Sequence, residues 1–447
     1  MDPTTIGAIG FFVVLVLLVL RVPIGFALGG VAAVCVFFVY AWRPGREFNP
    51  DRGLNPTLSL IQSNAFEFLH SYSLSMVPMF IAAGHLAYHA RITTDIYNAA
   101  RIWLVNVPGG LAIASLFGCG GFSAITGSSM ACASSMGRIC VPEMMRWNYS
   151  PQLAGSTVAM GGTLGALIPP SILFVLYALF TEQSVSALFL AGVIPGLLTL
   201  AGYIITVMIW VRVNPSIAPR AEITIQKGEK WRAMVLAWPA MMLMSIIIGG
   251  IYGGIFTATE AAAVSLAFAF VFGLVSRRLN WAAIKDSFIQ TAKSSAALFF
   301  IAVGAKIFVS LVSLTGVTEA FVEMIQSANL SMWQVLLSIA VLYLVMGVFL
   351  DPIGTMLLTL PFVVPLVEGY GLDLIWFGVI VVKLLEIGLV TPPMGLNVFV
   401  VASVSGKLVN ATKTFQGVAR FLAIDLLVLG ILLAFPILSL ILPSSMN

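Results

Sequence analysis

Two pairs of short stretches in this sequence collect glycines, hydroxyls and consecutive prolines inside otherwise apolar surroundings. The first pair is Gly118-Cys-Gly-Gly-Phe-Ser-Ala-Ile-Thr-Gly-Ser-Ser129, followed by Gly162-Thr-Leu-Gly-Ala-Leu-Ile-Pro-Pro-Ser171. The second is Asp351-Pro-Ile-Gly-Thr-Met356, followed by Glu386-Ile-Gly-Leu-Val-Thr-Pro-Pro-Met-Gly-Leu-Asn397. Consecutive prolines remove two backbone donors and clash with the preceding turn, so a helix does not pass through them intact. In lipid, the carbonyls freed in this way survive only when buried in protein or lining a cavity. Those carbonyls, with the neighbouring Ser and Thr hydroxyls, are the oxygen ligands that a hard cation requires. Helix N-termini at the same break present N–H groups to an anion. One break can therefore hold a cation and a carboxylate together. A single Pro-Pro is equally well an ordinary kink. Its recurrence, each time after a hairpin-sized segment with a polar tip, points to a transporter site near the bilayer midplane.

The elements that must position these stretches are membrane helices. Only 9% of the 447 residues are charged and 60% are hydrophobic, with a mean hydropathy of +1.04. A soluble domain carries roughly 25% charged residues, so the surface here faces mostly lipid. The apolar runs are continuous instead of alternating, which predicts helices over a barrel. They read at about 6–20, 23–41, 72–90, 97–117, 151–168, 185–211, 232–250, 257–275, 287–312, 332–350, 372–390 and 417–442. No polar block is large enough for a separate soluble domain, so residues 1–447 read as one all-α polytopic membrane domain. The run Ile6–Leu20 reads as a retained helix, because Asp2 stands where a signal peptide has basic residues and Arg21-Val22-Pro23 leads into another span. Arg43–Ser59, punctuated by Pro44, Pro50 and Pro56, reads as a loop. Residues 213–231 read as a cytoplasmic linker between a first half, 1–212, with a hairpin over about 118–146, and a second half, 232–447, with a hairpin over about 351–370. Basic clusters at Arg212–Arg232 and Arg277–Lys285 put those two loops in the cytoplasm by the positive-inside rule.

At these residues the chain resembles the large membrane subunit of a tripartite ATP-independent periplasmic (TRAP) transporter, the DctM family. The likeness is carried in order by Arg21-Val-Pro-Ile-Gly-Phe-Ala-Leu-Gly29, Val77-Pro-Met-Phe-Ile81, Thr126-Gly-Ser-Ser129, Gly165-Ala-Leu-Ile-Pro-Pro-Ser171, Gly250-Ile-Tyr-Gly-Gly-Ile-Phe-Thr-Ala-Thr-Glu-Ala-Ala262 and Thr391-Pro-Pro-Met-Gly-Leu-Asn397. The resemblance implies an inverted-repeat, elevator-type importer of the bacterial inner membrane, with two re-entrant helical hairpins and discontinuous helices. It implies sodium as the coupling ion and no organic cofactor. The implied partners are a small four-helix membrane subunit and a periplasmic binding protein that delivers an organic acid. Carried onto this chain, one sodium site takes Thr126, Ser128 and Ser129 at the first hairpin tip, facing Gly162 and Gly165. The other takes Gly388, Thr391 and Met394, with Asp351 and Thr355 near the facing hairpin. Ser129, Pro170, Ser171, Pro393 and Asn397 are the implied substrate contacts. Sialic-acid members carry an Asp where this chain has Cys132, which leaves the first site without that charge. Ala258 stands where Pro is common in the family. A stand-alone carboxylate carrier of related two-hairpin architecture is the alternative, and only the full run of motifs speaks for the tripartite reading.

The remaining polar residues have competing readings. Asp351, between Leu350 and Pro352, is a costly intramembrane charge and also a good helix cap. Thr257-Ala-Thr-Glu260 fits a capping box. Lys383 and Glu386, three apart on one helix face, are expected to pair. Lys293 and Lys306 have no obvious local partner and read as partnered or snorkelling lysines. His85 and His89 have i, i+4 spacing without an HExxH motif, so a metal role is not expected. Cys35, Cys119, Cys132 and Cys140 lack CxxC spacing and read as structural thiols. No GxxxxGK[ST] loop, Ser–His pairing or paired-Asp constellation supports an enzyme, and a net charge of +4 calls for no nucleic-acid partner.

Overall fold

The computed structural model describes residues 2–42, 47–220, 225–226 and 228–446. Among these every regular element is helical. In the first half the α-helices are α1 (Pro3–Val19), α2 (Ile24–Ala41), α3 (Pro50–Leu69), α4 (Met76–His89), α5 (Ile92–Leu104), α6 (Gly110–Thr126), α7 (Ser129–Arg146), α8 (Pro151–Leu167), α9 (Ile172–Thr181) and α10 (Val185–Val213). In the second half they are α11 (Glu229–Leu236), α12 (Trp238–Met244), α13 (Gly250–Tyr252), α14 (Ala258–Val275), α15 (Trp281–Thr315), α16 (Val317–Ser327), α17 (Met332–Phe349), α18 (Pro352–Gly369), α19 (Leu374–Gly388), α20 (Leu396–Ser405), α21 (Ala411–Ala434) and α22 (Ile437–Ser444). Among the described residues eight helices are long and apolar enough to cross a membrane, or nine if the bent pair Glu229–Leu236 and Trp238–Tyr252 is one span.

The chain packs into two compact units that ignore the seam at 213–231. One is Met1–Ser75 with Lys293–Leu374, the other Met76–Ala292 with Ile375–Asn447, so each draws on both sequence halves. Part of the linker itself, residues 221–224 and 227, lies outside the described residues, as do Arg43 and Pro44 of the expected first loop.

In the first unit, glycines let backbones meet. A Cβ on Gly304 of α15 would lie 2.6 Å from the Gly25 carbonyl oxygen and 3.2 Å from the Gly29 nitrogen of α2. This small-residue contact is how helices approach without a hydrophobic drive between them in lipid. The loop expected over Arg43–Ser59 is shorter than its prolines suggest, because α3 begins at Pro50. Asn49 caps it, accepting from the Asp51 N–H at 3.0 Å, and Pro at the first helical position loses no intrahelical bond. The hairpin expected over 351–370 is also displaced. Residues 352–369 are one helix, and the reversal lies at Leu350–Asp351, between α17 and α18. Asp351 caps α18, its Oδ1 accepting from Ile353 N at 2.7 Å and Gly354 N at 3.0 Å. Thr359 donates to the Tyr343 hydroxyl at 2.6 Å, and these residues are equidistant along the chain from Asp351, as arms of a hairpin must be.

In the second unit, the run read as one span at 97–117 is divided. α5 ends at Leu104, Pro108 and Gly109 (φ +73°) turn the chain, and α6 starts at Gly110. α8 and α9 are separated by Ile168–Ser171, and α19 and α20 by Leu389–Gly395, so both Pro-Pro pairs interrupt helices. Both Pro-Pro peptide bonds are cis. At α14 the capping box forms: Glu260 N–H donates to Thr257 Oγ1 at 3.2 Å and Thr257 N–H to Glu260 Oε2 at 2.8 Å. Trading Gly304 for Ala should destabilise the full chain by about 1–3 kcal/mol through overpacking. Gly30, where a Cβ would meet nothing within 4 Å, should accept Ala without loss. Thermal unfolding of the two solubilised variants checks the contrast.

Candidate functional site

The tip of the α6–α7 hairpin lodges in the break between α8 and α9. Gly127 turns the chain with φ +63°, a conformation that favours glycine. A side chain there would collide with the Pro170 carbonyl. The Gly127 carbonyl accepts from Ile172 N–H at 3.3 Å, joining the tip to the first turn of α9. Ser128 caps α7 through Ala131 N–H (3.4 Å), and Ser171 caps α9 through Phe174 N–H (3.3 Å). Across from the tip, a Cβ on Gly165 would lie 2.8 Å from Ser129 N and from Ser128 C. A Cβ on Gly162 would lie 3.2 Å from both the Ser129 carbonyl oxygen and Asn397 Nδ2. Gly165 is thus the condition for this approach, since a side chain there would lift the tip away, and Gly162 fits closely beside it. The structure brings together Thr126, Ser128, Ser129, Gly162, Gly165, Pro170 and Ser171. The Thr126 hydroxyl is spent on the Phe122 carbonyl at 3.1 Å.

The second break rebuilds its own bonds. Thr391 N–H donates to Gly388 O, Gly395 N–H to Thr391 O and Asn397 N–H to Leu389 O, at 3.1–3.2 Å. The Thr391 hydroxyl donates to Ile387 O at 2.6 Å. Each of these carbonyls has a second lone pair. Asn397 is fully buried and donates through Nδ2 to Ala159 O on α8 at 3.4 Å, so the two breaks share α8. Pro393 is exposed and Met394 half-buried. Asp351 and Thr355 belong to the other compact unit, where Asp351 lines a cavity of about 360 Å³ with Arg21, Pro23, Ile24, Phe349 and Gly354.

The expected Lys383–Glu386 pair is replaced by longer-range partners. Lys383 pairs with Asp425 of α21 and donates to Thr199 of α10 at 3.2 Å. Tyr203 of α10 donates to Asp425, 2.8 Å from each carboxylate oxygen, and its hydroxyl lies 2.9 Å from that of Thr163 on α8. Glu386 instead accepts from the Ser129 hydroxyl at the hairpin tip, at 2.7 Å. The reason is compensation: a fully buried ammonium needs a carboxylate with further donors around it, and Asp425 offers that where Glu386, one turn along the same helix, does not. Sequence reasoning missed Asp425 and Tyr203. The available signal was a lone acid inside an apolar run.

Other polar readings resolve simply. The four cysteines are buried and free, Cys132 donating to Cys119 O at 3.5 Å and accepting from Ser123. His89 does have a carboxylate neighbour, Asp286 at 3.2 Å. Among the described residues no group of three or more His, Cys, Asp or Glu side chains suits a metal ion. A cation at these breaks would be held mainly by carbonyl, hydroxyl and amide oxygens.

Residues 11–438 match the family model for the tripartite ATP-independent periplasmic transporter, DctM component. The C4-dicarboxylate TRAP transporter large permease protein DctM of Pseudomonas aeruginosa is 35% identical over 401 residues, covering 89% of this chain and 91% of that protein. The sialic acid TRAP transporter large permease protein SiaM of Vibrio cholerae is 32% identical over 377 residues, covering 84% and 87%. Among solved structures, the Alcanivorax borkumensis YdaH transporter, described as having an unusual topology, aligns with a TM-score of 0.57 over 98% of this chain and 99% of that one, at 14% identity. That likeness is one of fold.

The buried pair yields a stability test. Lys383→Met should cost about 3–5 kcal/mol by stranding the Asp425 carboxylate. The double variant with Asp425→Asn should recover much of that loss in thermal unfolding of the solubilised chain.

Proposed function

Because this chain belongs to the DctM component family of TRAP transporters, multi-pass permeases of the bacterial inner membrane, we propose that it is the translocating subunit of a sodium-coupled importer of an organic acid anion. The observation that carries this reading is the hairpin tip at Gly127–Ser129 seated against Gly162 and Gly165, which gathers backbone and hydroxyl oxygens around a break in a buried helix. Sodium is a hard cation and takes such oxygens. Its binding would draw the tip and the break together and fix the N-termini of α7 and α9. Those N-termini carry partial positive charge and free N–H groups, which suit a carboxylate. Ser129, Pro170, Ser171, Pro393 and Asn397 are the assigned substrate contacts. The second sodium ion is assigned to Gly388, Thr391 and Met394.

In this mechanism an empty tip is loose and a loaded one is ordered, so anion affinity depends on sodium. The loaded body then crosses as one, in elevator fashion, driven by the sodium gradient. A periplasmic binding protein delivers the anion and a small four-helix membrane subunit completes the permease. Relatives named for C4-dicarboxylate and for sialic acid share a carboxylate in their substrates, which supports an organic acid as the class.

Ser128→Ala and Thr391→Val should each raise the sodium concentration for half-maximal uptake about fivefold, the effect of losing about 1 kcal/mol of ligand interaction. Proteoliposome uptake across a sodium series measures this, and an unchanged dependence in both variants counts against the ligand sets. The tripartite arrangement predicts that the chain reconstituted alone shows no robust uptake, and that adding the small subunit and binding protein restores it. Uptake by the chain alone would favour the stand-alone carrier.

A further inference from the structure

Glu386 is 1% exposed and Asn397 is fully buried, yet each has one oxygen without a hydrogen-bond partner among the described residues: Glu386 Oε2 and Asn397 Oδ1. Leaving a buried acceptor unsatisfied costs about 1–3 kcal/mol, and more for a charged one. Both side chains reach the surroundings of Ser129. Glu386 is held through Oε1 by the Ser129 hydroxyl at 2.7 Å. The Ser129 carbonyl and Asn397 Nδ2 both lie 3.2 Å from where a Gly162 Cβ would stand, beside the Ala133 methyl at 3.0 Å.

The charges around this point do not cancel by themselves. Lys383 is committed to Asp425 and Thr199, and Asp425 takes the Tyr203 hydroxyl as well. That leaves the Glu386 carboxylate with one neutral hydroxyl and the N-terminal end of α7. A helix terminus offers about half a positive charge, and its effect fades within a turn. A buried carboxylate balanced only in part is costly, whereas a monovalent cation would supply the missing charge and take up both free oxygens.

We infer that Glu386 and Asn397 are ligands of the cation bound at the first hairpin tip, with Glu386 supplying the neutralising charge and Ser129 held between them. This rests on the sodium reading above and adds to it a carboxylate from α19 where α7 carries the neutral Cys132. The site takes a small monovalent cation, and its cargo leaves no net charge at that point of the moving body. The Ser129–Glu386 bond would also make the tip register whether the cation is present.

The test is a sodium titration of the thermal stability of the full chain in lipid nanodiscs, at ionic strength held constant with choline, for wild type, Glu386→Gln, Glu386→Asp and Asn397→Ala. Glu386→Gln should raise the sodium midpoint about tenfold or more, the equivalent of about 1.4 kcal/mol. Asn397→Ala should raise it severalfold. Where Glu386→Gln does not fold, Glu386→Asp decides, since the shorter arm keeps the charge but withdraws it from the tip and should still raise the midpoint. A wild type stabilised by sodium, with midpoints unchanged in the folded Glu386 variants, overturns this inference alone. A wild type that sodium does not stabilise overturns the sodium reading and this inference with it.

Discussion

A peptide group in hydrocarbon must find its hydrogen-bond partner within the protein. Every notable feature of the second unit follows from how that requirement is met where the two prolines of each pair make the regular ladder impossible. At the first break the repair comes from outside the helix. The hairpin tip offers the Gly127 carbonyl to α9, and Ser171 caps what remains. At the second break the repair is local, with Thr391, Gly395 and Asn397 donating backward to Gly388, Thr391 and Leu389. Donors are used up in this process faster than acceptors, because proline contributes only a carbonyl. The surplus is oxygen, and oxygen is what a hard cation binds. The site is the remainder left by a backbone problem.

The same scarcity governs the charged side chains. A carboxylate or ammonium buried here must be matched by a partner of opposite sign or by several dipoles. The Lys383–Asp425 pair with Tyr203, Thr163 and Thr199 meets that condition and ties α8, α10, α19 and α21 to one another. It also fixes α8, whose glycines receive the tip. Glu386, one turn from Lys383, is left outside this balance and turned toward Ser129. The division of labour is sharp: one acid on a neighbouring helix holds the scaffold of the site, and the other faces the site itself.

What could be read from the residues divides along the same physical line. The breaks were legible because proline and glycine act locally, and Thr126–Ser129 with Gly162–Gly165 do meet in space. The capping box at Thr257–Glu260 was legible for the same reason. Elements set by distant packing were not. The helix-face rule paired Lys383 with Glu386, but burial gave Lys383 to Asp425, 42 residues away. The prolines at 50 and 56 argued for a loop, yet Asn49 and Pro50 start a helix. Asp351-Pro352 was correctly a helix start, and for that reason it stands at the tip of the second hairpin and not at the beginning of its first arm. Packing into units that cross the linker at 213–231 has no local signature at all.

The bond between Ser129 and Glu386 has a consequence for how the chain is made. Its two ends are 257 residues apart, and Tyr203 and Asp425 are 222 apart. At a synthesis rate of about 5–20 residues per second, the first hairpin leaves the ribosome roughly 13–50 seconds before its acidic partner. During that interval the Ser129 and Tyr203 hydroxyls lack their carboxylate partners, in a setting where lipid offers none. Only when α19 and α21 have been made can those two bonds close.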